Sequence, residues 1–473
     1  MSQANRQIYL ITIIAALGGL LFGYDTAVIS GAVSAIDVNF VEPRGLSADQ
    51  AAWLKGFIVA SALIGTIFGS AIAGAFAQRM GRRNTMRLAA LFFMLSALGS
   101  AFPEFGLYPI GTLGAGSTAA FIIYRIIGGF GIGLASVVCP MYIAEIAPSH
   151  LRGRLVSLYQ FAIVTGIFGV YFINYGIASL GDSAWIDSWG WRYMLASESV
   201  FALAFLVSLA AVPESPRWLV MRARAQDALN VLTRYESADR ADAILHDIRQ
   251  SLDTSDRRSV LHFGMAVIII GVMLSVFQQF VGINAVLYYA PSIFESLGAS
   301  TNASFLQAAI VGSVNFAFTL IAYRYVDRAG RKPLLLAGAA LMAVAMLSLG
   351  TCFYLVELGL FALVVMMVYV AAFALSWGPV VWVVLSEMFP NSIRAKALPI
   401  AVAAQWISNF LVTSSFTTMT ENRWLVDTFN NGFAYWFYGV VSAFAFVFVL
   451  RFVPETKGMS LEAVEGSWSR SRR

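Results

Sequence analysis

Twelve apolar runs, each long enough to cross a lipid bilayer as a helix, recur along this chain. They lie near residues 8–33, 53–77, 86–103, 117–143, 155–179, 192–212, 261–290, 304–325, 334–355, 361–388, 396–420 and 432–453. A span takes roughly 20 apolar residues. Backbone N–H and C=O groups inside hydrocarbon must be satisfied within the segment, so runs of this length are read as helices. The expected fold is an all-α membrane protein with twelve transmembrane helices. Composition agrees, with 59% of the 473 residues apolar and 12% charged. A soluble domain is nearer about 45–50% apolar and about 25% charged. A disordered chain, a secreted disulfide scaffold and an ordinary cytosolic enzyme are thereby excluded. Cys139 and Cys352 both fall inside apolar runs and imply no disulfide framework. The first run shows no small-residue cleavage site and reads as a retained span.

The net charge of +5 does not mark a nucleic-acid surface, because the basic residues form short clusters between apolar runs. Those clusters are Arg79, Arg82 and Arg83; Arg152 and Arg154; Arg328, Arg331 and Lys332; and Arg394 and Lys396. They follow the second, fourth, eighth and tenth runs, while the intervening loops carry little positive charge beyond Arg44 and Arg423. By the positive-inside bias, both termini are expected in the cytoplasm. Small residues at Gly65/Gly69 and Gly129/Gly133 have the spacing that lets helices approach closely.

Three features occur twice in the same order, at offsets of 241 to 249 residues. Arg79-Met80-Gly81-Arg82-Arg83 returns as Arg328-Ala329-Gly330-Arg331-Lys332. Glu145-Ile146-Ala147-Pro148 followed by Arg152 returns as Glu387-Met388-Phe389-Pro390 followed by Arg394. Val212-Pro213-Glu214 returns as Val453-Pro454-Glu455. The chain is therefore expected to comprise an N-terminal six-helix half (1–213), a cytoplasmic linker with amphipathic helices (214–260), a C-terminal six-helix half (261–455) and a short cytoplasmic tail (456–473). The two halves are expected to be pseudo-symmetric. Paired repeats of this kind place a substrate site between them and work by rocking around it.

Charges inside the runs are few and therefore informative. Asp25, Arg125 and Glu198 lie in the first, fourth and sixth runs. A carboxylate in hydrocarbon needs a cavity, a cation or a proton. Two acids sharing one arginine place one of them near a protonation boundary, which suits proton coupling. A purely structural ion pair that pins helices remains open on the residues alone. Neutral amides form a second set: Gln160, Gln278, Gln279, Asn284 and Gln405. Each amide offers a donor and an acceptor, as a desolvated polyol requires. Asn284 and Tyr288 are four apart and share a helix face, and Gly282 can break the helix and expose its backbone. Trp382, Trp406 and Phe22 can stack on the apolar face of a sugar ring. Interhelical hydrogen bonding and simple packing are the alternatives for these amides and aromatics.

The acids Glu145, Glu214, Glu387 and Glu455 stand at run ends beside the arginines Arg79, Arg82, Arg83, Arg152, Arg328, Arg331 and Arg394. Such matched sets can form a breakable inner gate as well as orient the chain. No metal site is expected, since His150, His246 and His262 lack ligand spacing. No nucleotide loop is expected, because the glycines at 128–133 lie inside a run.

With these motifs in view, the chain resembles the sugar porter family of the major facilitator superfamily over essentially its full length. The residues that carry the resemblance are Gly23-Tyr24-Asp25, Arg79 to Arg83, Pro213-Glu214-Ser215-Pro216-Arg217, Gln278-Gln279 with Gly282-Ile283-Asn284, Ser376-Trp377-Gly378-Pro379, and Pro454-Glu455-Thr456-Lys457-Gly458. The resemblance implies sugar contacts at Gln160, Gln278, Gln279, Asn284, Trp382 and Gln405. It also implies proton coupling at Asp25, assisted by Arg125 and Glu198. Two positions depart from the family pattern. Gln78 stands where many members carry aspartate, whereas the second copy keeps Asp327. Ile167, on the face of Gln160, stands where a xylose carrier has glutamine and glucose carriers tend to be apolar.

The expected function is import of a monosaccharide, D-xylose or D-glucose, coupled to protons by alternating access. The expected partners are the sugar, protons and the lipid bilayer, with no cofactor, no nucleic acid and no obligate protein partner. The expected location is a plasma membrane, the inner membrane of a bacterium. A uniporter with the same site and a sugar sensor that does not transport are the alternatives. A membrane enzyme is disfavoured, because no nucleophile–base pair or metal cluster is evident.

Overall fold

A computed structural model of the chain describes residues 3–114, 116–148, 151–235, 238–253, 265–356, 359–389 and 391–457. The described residues are overwhelmingly helical and contain no strand. The long helices of the first part are α1 (Gln3–Val28), α2 (Ala48–Met80), α3 (Arg82–Ala101), α4 (Ser117–Ile146), α5 (Arg152–Ala178) and α6 (Trp191–Ser208). Three short helices follow: α7 (Pro216–Met221), α8 (Ala225–Leu232) and α9 (Ala238–Asp253). Leu219, Val231, Leu232 and Leu245 bury their side chains together there, so these helices pack on one another through a small apolar core.

The second part begins with α10 (Met265–Phe280), α11 (Ile283–Tyr288) and α12 (Ala290–Ser296). It continues with α13 (Thr301–Ala329), α14 (Arg331–Leu355), α15 (Leu360–Leu375) and α16 (Trp377–Met388). It ends with α17 (Asn391–Glu421), α18 (Arg423–Phe429) and α19 (Phe433–Phe452). The seventh apolar run is thus a broken helix, and the break falls at Gly282, whose φ is +97°. A side chain there would be strained and would meet the Tyr438 ring 2.5 Å away.

Ten helical segments among the described residues are long and apolar enough to cross a membrane. The other two expected spans are α3 and α6. Arg87 sits inside the first, and Arg192 and Glu198 sit inside the second, which lowers their apolarity. Both are nonetheless continuous helices of 20 and 18 residues.

The chain divides into two compact units. The first comprises residues 1–26, 64–167 and 192–257. Within it α2 and α4 approach to backbone contact, as the glycine spacing predicted. A methyl at Gly65 would lie 1.9 Å from the Ile126 carbonyl oxygen, and one at Gly69 would lie 2.6 Å from that of Phe130. The second unit comprises residues 27–63, 168–191 and 258–473. There the Tyr171 hydroxyl donates to the Leu287 carbonyl at 2.5 Å, and that of Tyr369 donates to the Val281 carbonyl at 2.8 Å. Both bonds satisfy backbone carbonyls on either side of the broken helix.

Candidate functional site

The intramembrane charges converge in the first unit. Asp25 on α1 and Arg125 on α4 are 0% and 2% exposed, and Arg125 Nη1 donates to Asp25 Oδ1 at 2.6 Å. Arg125 Nη2 also donates to the Asp25 carbonyl at 3.5 Å. Glu198 on α6, equally buried, interacts with both. One residue earlier on each of α1 and α6, the Tyr24 hydroxyl shares a hydrogen bond with Ser197 Oγ at 2.5 Å. Three helices therefore bring two carboxyls and one guanidinium together in a buried setting. Such a pair contributes little net stability, because desolvation offsets the Coulomb attraction.

The amides converge in the second unit. Gln278 at the end of α10 donates from Nε2 to the carbonyls of Trp377 and Gly378, at 2.9 and 3.1 Å. Its Oε1 accepts from Gln405 Nε2 at 2.6 Å and from Gln279 Nε2 at 3.3 Å. Asn284 Nδ2 donates to Gln279 Oε1 in turn. The kink at Gly282 makes this possible, because residues five apart on an unbroken helix do not face each other. Gln405 Oε1 is left without a hydrogen-bond partner among the described residues. The result is a chain of four planar amides able to exchange internal bonds for bonds to ligand hydroxyls. Tyr288 and Trp406 are buried in the same unit, and Trp382 is half-buried. Phe22, Gln160 and Ile167 belong to the first unit, where Ile167 is buried and the other two are half-buried.

The repeated acids and arginines form one cluster in each copy. In the first, Arg82 binds Glu145 through two bonds, Nε to Oε2 at 2.9 Å and Nη2 to Oε1 at 2.7 Å. Glu214 accepts the backbone N–H groups of Arg82 and Arg83, at 2.9 and 3.2 Å. Those donors open α3, whose preceding residue Gly81 has no side chain to cap them. The remote carboxylate caps the helix instead, and the helix dipole favours its charge. Gly81 has φ +91°, and a side chain there would meet Glu214 Oε2 2.2 Å away. The second cluster repeats this at α14. Arg331 binds Glu387 at 3.1 and 2.8 Å, and Glu455 accepts the N–H groups of Arg331 and Lys332, each at 3.0 Å. Gly330 matches Gly81 with φ +89°. Burial disfavours the Glu455 carboxylate, yet the backbone N–H groups of Lys457, Arg331, Lys332 and Thr456 outweigh it and hold the carboxyl below its ordinary range.

Glu145 pairs with Arg82 and not with Arg152, which opens α5 in an exposed position. Glu387 likewise pairs with Arg331. The side chains of Arg394 and Asp327, and the residues His150 and His262, lie outside the described residues. Arg83 donates from its side chain to the Val212 carbonyl at 3.2 Å. Arg79 and Arg328 enter through their carbonyls, which accept from Arg222 Nη2 and Lys457 Nζ, each at 2.7 Å.

Sequence reading missed several members. Ser215 and Thr456 follow Glu214 and Glu455, and each donates its hydroxyl to the paired carboxylate, Ser215 to Glu145 and Thr456 to Glu387. Their signal was present, since both directly follow a repeated Pro-Glu. Lys55 on α2 donates to Asp37 at 2.7 Å and to Glu421 at 2.9 Å. Arg192 and Glu104 form a buried pair at 2.8 Å, and Arg192 also donates to the Ala101 carbonyl. These partners lie too far apart in sequence to be matched by spacing.

A helical chain with long apolar spans, a buried acid–arginine pair and a separate chain of amides has the parts that a carrier of a small polar solute needs. Comparison with known proteins specifies the class. Residues 11–468 match the family described as sugar (and other) transporter. The chain is 53% identical to the D-xylose-proton symporter of Escherichia coli (strain K12), over 98% of its own length and 96% of that protein. It is 43% identical to the glucose facilitated diffusion protein of Zymomonas mobilis, over 97% of each chain. Among solved structures it is similar to the inward open conformation of the xylose transporter XylE from E. coli. There the TM-score is 0.88, the identity 51%, and 98% of this chain and 100% of that chain are covered. The chain belongs to the sugar transporter family and has the major facilitator fold of twelve transmembrane helices.

Proposed function

We propose that this protein imports a monosaccharide, D-xylose or D-glucose, together with a proton. The observation that carries the reading is the fully buried Asp25–Arg125 pair with Glu198 beside it. Two carboxyls and one guanidinium leave a net negative charge in the membrane unless one carboxyl takes a proton. Protonation releases Arg125 from its obligation to Asp25 and changes the packing of α1, α4 and α6. Sugar hydroxyls bind Gln278, Gln279, Asn284 and Gln405, with Gln160 and Tyr288 completing their hydrogen bonds and Trp382, Trp406 and Phe22 stacking on the ring. The clusters of Glu145, Arg82 and Glu214 and of Glu387, Arg331 and Glu455, with Arg79, Arg83, Arg152, Arg328 and Arg394, form the inner gate. Both termini face the cytoplasm in this reading, and the membrane is the inner membrane of a bacterium.

The energetics suffice. A potential of 100 mV is worth about 2.3 kcal/mol per charge, so one proton per sugar sustains a gradient of roughly 50-fold. The test is uptake by reconstituted vesicles, compared with sugar exchange across the same vesicles. Asp25→Asn is expected to lose uphill accumulation by at least tenfold while exchange falls far less. Accumulation that survives the substitution contradicts coupling at Asp25.

A second reading, facilitated diffusion of glucose through the same site, draws support from the likeness to the Zymomonas protein and from the apolar Ile167. Ile167→Gln separates the sugars: an added amide on the Gln160 face is expected to shift preference toward xylose by a few-fold. A preference that stays unchanged removes Ile167 from the site.

A further inference from the structure

Away from the basic clusters, one lysine joins the two copies of the repeat. Lys55 stands near the start of α2, about 36 Å along the helix from Arg79. Its Nζ donates to Asp37 Oδ2 at 2.7 Å and to Glu421 Oε1 at 2.9 Å. Asp37 belongs to the first copy, on the short helical stretch Asp37–Val41 that follows α1. Glu421 belongs to the second copy, as the last residue of α17. The Lys55 side chain is 12% exposed, and the carboxylates are 31% and 38% exposed.

Three further contacts join the same two helices. Thr417 Oγ1 donates to the Ala52 carbonyl at 2.7 Å, and Asn422 Nδ2 donates to Asp49 Oδ1 at 2.8 Å. At Gly56 the backbones touch, since a methyl there would lie 2.2 Å from the Ser414 carbonyl oxygen. All of these residues fall in the second compact unit, which takes α2 only as far as Leu63. The start of α2 therefore packs with the second copy, although its sequence belongs to the first.

The same helix α17 reaches the amides. Gln405, Asn409, Thr413, Thr417 and Glu421 are each four apart and form one polar row along it. At one end of the row Gln405 donates to Gln278. In the middle Thr413 donates to Asn409 Oδ1 at 3.0 Å, and its carbonyl accepts from the Tyr289 hydroxyl at 3.2 Å. At the other end Glu421 meets Lys55.

We infer that Lys55 and Glu421 form an outer latch, which holds α2 to α17 and parts when sugar enters from that side. Rocking around a central site requires the two copies to separate at one end of the helices at a time. An ion pair this exposed is weak and exchanges readily with water, as a contact broken in every cycle requires. Asp37 moves with Lys55 and keeps the ammonium paired when Glu421 leaves. Sugar hydroxyls that engage Gln405 act on the helix whose far end the latch holds. The inference rests on the reading of alternating-access transport and adds the gate opposite the basic clusters.

The experiment measures the distance between spin labels on Gln50→Cys and Thr428→Cys, both exposed, in the full chain in vesicles. The native Cys139 and Cys352 are buried. Lys55→Met and Glu421→Ala are each expected to raise the long-distance population several-fold. The external sugar concentration that half-saturates exchange should fall by a similar factor, because apparent affinity follows the competent fraction. The double variant should add little to either single one, Asp37→Asn should change the distances least, and Lys55→Arg should restore them. Glu421→Ala alters an exposed side chain, so it tests the latch even if Lys55→Met fails to fold. Native distances in Glu421→Ala overturn the inference, as do effects of the two single variants that simply add. If the native vesicles carry no monosaccharide, the transport reading falls and the latch falls with it. If they carry sugar while the variants keep native distances, the latch alone falls.

Discussion

The two copies of the repeat agree at their basic ends and diverge inside the membrane. At the basic end each copy places an arginine on a glutamate, caps a helix with a remote carboxylate and adds a hydroxyl from the next residue. Inside the membrane the first copy carries Asp25, Arg125 and Glu198, whereas the second carries the neutral chain Asn284, Gln279, Gln278 and Gln405. The lesson is a division of labour. One copy holds charge that a proton can neutralise, and the other offers amides that bind without changing charge. On the proposed function, a neutral site would bind a neutral sugar at either protonation state of Asp25, and coupling would then act through helix packing and not through direct charge attraction.

The sharpest way to break this division is to damage the amide chain. Gln278→Ala removes the amide to which two others donate and leaves Gln405 and Gln279 without their acceptor. At about 1–3 kcal/mol for each unpaired buried group, sugar affinity is expected to fall about 10- to 100-fold. Calorimetric binding in detergent reads this directly. An affinity within twofold of native would remove the amides from the sugar site.

The basic ends offer a graded comparison. Arg82 and Glu145 are 5% and 11% exposed, whereas Arg331 and Glu387 are 10% and 28% exposed. Breaking a buried pair costs more than breaking a solvated one. Arg82→Ala is expected to cost about 3 kcal/mol, and Arg331→Ala roughly half that after solvent screening. Thermal unfolding in detergent would show the larger Tm drop for Arg82→Ala. An equal or reversed order would mean that burial does not set the strength of these clusters.

The smallest effect is one of pH. The Glu455 carboxyl is held below its ordinary range by backbone donors. A depressed carboxyl contributes stability that is present above the unfolded carboxylate pKa and lost as pH falls through the folded one. Melting temperature should therefore decline below about pH 4, and Glu455→Gln should flatten that acid limb. An unchanged limb would show that the acid sensitivity arises elsewhere.

Most of the fold was legible because hydrocarbon imposes one rule on every span. Even the kink at Gly282 could be read from one glycine beside two amides. The Arg82–Glu145 pair was half legible. Both residues stood out among the acids and arginines at the run ends, but spacing does not say which arginine meets Glu145, and it is α3 that presents Arg82 to it. The bonds among the amides were not legible, because they depend on a backbone break that turns Asn284 toward Gln279. Lys55, and Arg192 with Glu104, were missed for one reason. A lone polar residue in an apolar run acquires meaning only from what another helix brings to it.

The central claim is that Asp25 carries the proton that travels with the sugar. The most direct measurement is proton movement evoked by sugar in vesicles reconstituted without a membrane potential. Adding D-xylose or D-glucose outside is expected to draw protons inward through the native protein and to draw none through Asp25→Asn vesicles that still exchange sugar. Sugar entry without proton movement in the native protein, or proton movement that persists in Asp25→Asn, would contradict the account.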